Sequence, residues 1–151
     1  MPQRWPGRKK VPIKRNGIAV DETIYLRSPC FGIVLRKIPM NFRRLDVYQT
    51  AIRFLPLSSE IADQLPPRYA VMADQLRRAA LSIPLNIAEG SGKTSGPDQR
   101  RFYSIARGSA MECAAIMDAC ASLLLIDKSQ MQQADQLLTS AVQMLSKLCR
   151  P

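Results

Sequence analysis

No histidine occurs among the 151 residues. That absence excludes Ser-His-Asp and Cys-His catalysis, an imidazole general base and any histidine-containing zinc site. Aromatic residues make up only 6% of the chain and Trp5 is its single tryptophan, so a platform on which unpaired bases stack is not expected. Carboxylates are scarce, 12 against 22 Lys+Arg, and none are spaced as a metal set or an acid–base pair. The four cysteines, Cys30, Cys113, Cys120 and Cys149, form no CxxC pair. Cys113 and Cys120 lie seven apart on one helical face, which suits small buried apolar residues in a reducing compartment. Long hydrophobic runs are missing too. The longest, 113–126, is interrupted by Asp118 and falls short of the ~20 residues that a membrane span needs. The apolar residues 30–35 are too few for a secretory leader and run into Arg36-Lys37. The expectation is a cytoplasmic protein with no membrane contact, no cofactor, no metal and no enzymatic activity.

What the chain has is positive charge, unevenly placed. Its net charge is +10. Residues 1–44 carry eleven Lys+Arg and only Asp21 and Glu22 as acids, whereas residues 45–151 carry eleven Lys+Arg and ten acids. The first segment also holds Pro2, Pro6, Pro12, Pro29 and Pro39 and has no helical period. Arg8-Lys9-Lys10 and Lys14-Arg15 read as a solvated basic arm of the kind that meets phosphates without sequence preference. Residues 1–41 are thus expected to be an irregular, poorly ordered basic extension. Met40 is a plausible alternative start, which would leave residues 1–39 untranslated.

From Leu45 onward, apolar residues recur at helical spacing and no stretch alternates as a strand does. The first segment, about 42–65, has Leu45, Tyr48, Ala51, Ile52, Leu55, Ala62 and Leu65 on its stripe, with Pro56 expected to kink or split it. The second, about 68–89, carries Met72, Leu76, Ala79, Ala80, Ile83 and Ile87, with Gly90 placed for a left-handed stop. The third, about 96–125, opens on Ser95 as N-cap and keeps Phe102, Ile105, Ala106, Ser109, Cys113, Ile116, Met117, Cys120, Leu123 and Leu124 on one face. The fourth, about 128–149, carries Met131, Ala134, Leu137, Leu138, Ala141, Leu145 and Leu148. Long helices joined by short loops predict an all-α, antiparallel up-down-up-down four-helix bundle over residues 42–150.

Antiparallel pairing about residue 95 sets Ser82 near Gly108, Arg78 near Glu112 and Glu89 near Arg101. Small residues on both sides then allow close approach, with Arg78–Glu112 and Glu89–Arg101 as ion pairs. Pro84 frees the carbonyl of Ala80, and the Asn86 amide is able to bond backbone groups near that point. The Gly92-Lys93-Thr94 triplet resembles part of a phosphate loop. The P-loop pattern, however, requires glycine where Ile87 stands and a strand before the loop, so nucleotide binding is not expected.

The run Ser82-Ile83-Pro84-Leu85-Asn86-Ile87-Ala88-Glu89-Gly90-Ser91-Gly92, followed by Ile105-Ala106-Arg107-Gly108-Ser109-Ala110-Met111-Glu112, resembles the four-helix-bundle proteins encoded in bacterial 23S rRNA intervening sequences. Leu45-Asp46-Val47-Tyr48 and Arg77-Arg78-Ala79-Ala80 are similar as well. The likeness covers about residues 40–148. It implies a ring-like homo-oligomer, a pentamer, without catalysis. It also implies a structural role for Asn86, Glu89, Gly90, Gly108, Ser109 and Glu112. The family is distantly similar to the accessory variability protein of diversity-generating retroelements, a basic pentamer that binds reverse transcriptase and nucleic acid. Two functions are therefore expected as alternatives. One is contact with RNA or DNA through Lys93, Arg100, Arg101, Arg77, Arg78 and Arg107. The other is a protein-interaction scaffold or accessory subunit holding a partner such as a reverse transcriptase.

Overall fold

The computed structural model describes residues 41–150. The expected basic arm and the alternative start at Met40 lie outside the described residues. A 3-10 turn over Asn41–Arg44 leads into α1 (Asp46–Gln64), and a second one over Pro67–Tyr69 leads into α2 (Ala70–Ser91). Two further helices follow, α3 (Gly96–Ser122) and α4 (Lys128–Leu148). All four pack against one another, and no strand occurs among the described residues. The all-α four-helix fold is therefore the one that the apolar periodicity predicts.

Each helix turns one stripe inward. In α1 the buried residues include Val47, Ala51, Phe54, Leu57, Ile61 and Ala62, at the three-four spacing of a core-facing helix. That stripe is rotated from the expected one: Tyr48 and Leu55 are only half-buried and Ile52 is exposed, because Val47, Phe54 and Ile61 take the centre of the interface. Pro56 does not split α1. It lies on the exposed side, where water reaches the carbonyl that its missing N–H leaves free. In α2, Leu76, Ala79, Ala80, Ile83 and Ile87 are buried, and Pro84 sits inside an unbroken helix. In α3 the inward stripe is Tyr103, Ala106, Ala110, Cys113, Met117 and Cys120, whereas Ile105, Leu123 and Leu124 of the expected face are exposed. Ala134, Leu138, Ala141 and Leu145 supply the α4 side. Phe54, Ile61, Leu76, Ile83, Ile87, Met117 and Leu145 are essentially inaccessible to solvent. Each such side chain contributes about 1.5–3 kcal/mol by leaving water.

Helix ends follow hydrogen bonding more than glycine placement. α2 continues through Gly90 to Ser91, so Gly90 does not form the expected left-handed stop. α3 ends instead at Ser122 on Leu124, which adopts the left-handed conformation at φ 56°. There Leu125 N donates to Cys120 O at 2.9 Å and Leu124 N to Ala121 O at 3.0 Å, a Schellman arrangement. α4 starts on a full capping box: Asp127 accepts from Gln130 N at 2.8 Å, and Gln130 Oε1 accepts from Asp127 N at 3.3 Å. Ser95 stands at the N-cap of α3 but makes no side-chain cap bond.

α2 and α3 run in opposite directions, because the contacting numbers rise on one as they fall on the other. Gln75 donates to Glu112, the hydroxyls of Ser82 and Ser109 lie 2.8 Å apart, and Gly90 rests against Phe102 and Tyr103. A Cβ on Gly90 would stand 2.9 Å from Tyr103 Cε1 and 3.1 Å from Phe102 Cβ. Gly90, not Gly108, is thus the close-approach glycine. Gly108 faces outward, with nothing within 4 Å of where its Cβ would be, and the partner of Ser82 is Ser109.

Candidate nucleic-acid interface

The residues singled out in sequence separate into three groups. Arg77 is bound up with acids: it reaches Asp63 of α1 at 2.6 Å and Asp74 at 3.4 Å. Its charge is locally neutralised on the α1–α2 side. Arg78 donates to Gln75, which in turn donates to Glu112, so the expected Arg78–Glu112 ion pair is replaced by a bridge through the intervening amide. The expected Glu89–Arg101 pair is not formed either. Glu89 accepts from Lys93, one turn on, at 3.3 Å, and Lys93 also lies 4.5 Å from the centre of the Phe102 ring. Lys93 therefore fastens the α2–α3 turn. This is the place of the phosphate-loop lookalike, and Gly92 there closes α2 through bonds from its N–H to Ala88 O and Glu89 O.

The motif residues form a seam rather than a reactive centre. Asn86 Nδ2 donates to Ser82 O at 2.8 Å and to Ser82 Oγ at 3.0 Å, just beyond Pro84. The Ser82 hydroxyl is shared with Ser109 across the helix interface. This network satisfies polar groups that would otherwise weaken a close helix contact. Three interior groups, Tyr103 among them through its burial, hold their protons to higher pH than usual. Burial, with the Glu112 charge as a lesser cause, pushes the Cys113 thiol up to about 12, and burial raises Cys120 as well. Protonated thiols are poor nucleophiles, in keeping with packing roles.

Arg100, Arg101 and Arg107 are brought together. With Ser104 they line one side of an open groove of about 610 Å³, whose other side is Ser146, Cys149 and Arg150 at the C-terminal end of α4. Arg100 and Arg107 are seven residues apart, close to two helical turns, which returns them to one face. None of these four arginines forms an ion pair among the described residues. The N-terminus of α3 and the C-terminus of α4 meet here with opposing dipoles, so the guanidinium groups set the sign of the field. Unneutralised guanidinium groups in one groove repel each other, and their planar donors match phosphate oxygens in pairs. Arg150 was not singled out in sequence. Its only signal there is a lone basic residue at the end of a helix, and the folding of α4 onto α3 is what places it.

A helical bundle with an arginine groove at one end and no metal-ligand cluster among the described residues is the class of protein the fold defines. The chain belongs to the 23S rRNA-intervening sequence protein family, whose model matches residues 43–147. No curated protein matches it. The family's description names no catalytic activity. Among the described residues no helix is long and apolar enough to cross a membrane.

Proposed function

We propose that the protein is a non-enzymatic, self-associating helical bundle that contacts RNA or DNA through Arg100, Arg101 and Arg107. The observation that supports this reading is the groove itself, where these three arginines converge with Arg150 without carboxylate partners among the described residues. Arg77 and Lys93 serve structure first, since each is engaged with carboxylates, whereas Arg78 is bound only to the Gln75 amide and keeps its charge. Self-association, as five copies in the ring that the family resemblance implies, would repeat the groove by symmetry and multiply a modest charge per chain.

A second reading, a scaffold for a partner protein, is favoured by large apolar side chains left in water. Leu81 and Leu85 on α2 and Met111 on α3 are each at least half exposed. One experiment separates the two. The protein is purified from cells with and without nuclease, and absorbance ratio and solution mass are compared. Nucleic acid that survives washing, is released by salt and is lost in Arg100→Glu/Arg101→Glu with helicity unchanged supports the first reading. A nucleic-acid-free oligomer that retains one protein partner overturns it in favour of the second.

A further inference from the structure

We infer that α3 carries a docking strip for a second copy of this chain, formed by Arg101, Ile105, Gly108 and Glu112 and used antiparallel about a two-fold axis. The inference goes beyond the proposed function, which leaves open the face used in self-association. The four residues follow at intervals of four, three and four, so they share one stripe of the helix, and all four are exposed. The core stripe of α3 is a different one, through Tyr103, Ala106, Ala110 and Cys113. Within one bundle the exposed stripe is left unmatched. Glycine is poorly suited to a helix interior, yet nothing stands within 4 Å of where a Cβ of Gly108 would be. Ile105 is in water beside it. Arg101 forms no ion pair among the described residues, and Glu112 accepts from Gln75 but has no cationic partner among them.

The strip is self-complementary. Its midpoint falls between Ala106 and Arg107, with Arg101 and Glu112 equidistant from it, and Ile105 and Gly108 likewise. An antiparallel second copy centred there sets Arg101 against Glu112 of the second copy and Ile105 over its Gly108, and the two-fold repeats both contacts. The isoleucine is then a knob, and the glycine a hole with no Cβ to obstruct it. A parallel pairing would instead set each charge against its own kind. Because Ser82 meets Ser109, Leu85, three residues on, stands level with Ala106 at the midpoint, and its exposed side chain adds apolar area beside the axis. The fork of N–H donors on Arg101 can meet a carboxylate on one side and a phosphate on the other, so the strip and the groove can be used together. A two-fold contact pairs whatever assembles, single copies or rings.

The test is the solution mass of the full, nuclease-treated chain, followed by sedimentation over a concentration series. The mass is expected to be an even multiple of one chain. Arg101→Glu and Glu112→Arg each bring like charges together at both ends, and are expected to weaken pairing at least about tenfold and to halve the mass at a fixed concentration. Arg101→Glu/Glu112→Arg restores opposite charges and is expected to recover the parent's mass. Gly108→Leu has open space in the single bundle but fills the hole, so it should halve the mass as well. Urea unfolding of the diluted proteins checks that each variant keeps a folded bundle. An odd number of copies, as in a lone five-membered ring, overturns the inference and leaves the proposed ring standing. A single copy at every concentration overturns the inference and the proposed self-association together. An even-numbered parent whose mass survives Gly108→Leu, or charge reversals that the double variant does not repair, also overturns the strip.

Discussion

Adding one methyl group at two glycines should move stability in opposite directions. Gly90 and Gly108 both lie inside helices, and neither has a left-handed backbone. Alanine is preferred over glycine in a helix by about 1 kcal/mol. At Gly108 nothing stands within 4 Å of the new atom, so Gly108→Ala should realise that gain of about 1 kcal/mol in full. At Gly90 the same atom would stand 2.9 Å from Tyr103 Cε1 and 3.1 Å from Tyr103 Cδ1. Carbon atoms prefer about 3.5–4.0 Å. The Tyr103 ring is buried, and Phe102 Cβ at 3.1 Å is anchored to the α3 backbone, so relief requires α2 and α3 to separate. Overpacking of this kind costs about 1–3 kcal/mol, which exceeds the helix gain and leaves Gly90→Ala about 1 kcal/mol less stable. The two variants should thus differ by about 2 kcal/mol in urea unfolding. In Tm, at fixed protein concentration, that is of the order of 8 °C. A Gly90→Ala protein as stable as Gly108→Ala would refute the close approach of α2 and α3.

Two further substitutions probe the helix end and the core. Leu124 holds the left-handed conformation at φ 56° with its side chain 90% exposed, a backbone cost of about 1–2 kcal/mol for an L-residue. Leu124→Gly should therefore raise stability by roughly 0.5–1 kcal/mol after the entropy of glycine in the unfolded chain is counted, and a lowered urea midpoint would contradict the Schellman ending of α3. The Cys113 thiol, ordinarily at 9.0, is pushed up to about 12, so between these values the unfolded chain releases its proton first. Stability should accordingly be intact below pH 9 and fall as pH rises towards 12, by up to about 1.4 kcal/mol per pH unit for this group. Cys113→Ala should flatten that fall relative to the parent chain, and an equally steep decline in both would show that the buried thiol is not its source.

The helices were readable because their evidence is periodic and redundant. Losing any single residue from the α4 stripe of Ala134, Leu138, Ala141 and Leu145 would leave the pattern intact. Features set by one residue were less readable, because one residue type answers several physical demands. Glycine serves a left-handed turn and a close approach equally well. Gly90, just past the expected segment 68–89, reads as the first and is the second. Leucine carries no stop signal, yet Leu124 ends α3 through the bonds of its neighbours to Cys120 and Ala121. Charged residues misled in a related way. Arg78 faces Glu112 in register, but Gln75 lies between them and takes both bonds. Sequence gives facing positions along two helices, and it does not rank the competing partners around them. Arg100, Arg101 and Arg107, chosen for their nearness to the α2–α3 loop, line one groove, and the place of Arg150 beside them depends on α4.

These observations divide α3 lengthwise into two kinds of surface. Towards α2 it presents Phe102, Ser109 and Glu112, which meet Gly90, Ser82 and Gln75. Every polar group named there has a partner, so that edge holds two helices at close range. Towards α4 it presents Arg100, Ser104 and Arg107, whose guanidinium groups have no carboxylate partners among the described residues. Ser82, Asn86, Gly90, Ser109 and Glu112 of the quoted motif thus lie on the edge that builds the bundle, while Arg107 of the same motif lies in the groove on the other edge. The two edges should respond separately to mutation. Loosening the α2–α3 seam lowers stability and carries the groove down with it, whereas reversing the groove charges removes anion binding from a bundle that remains folded. A substitution at Arg100 or Arg101 that destabilised the fold as much as one at Gly90 would show that the arginines are structural, and the division would fail.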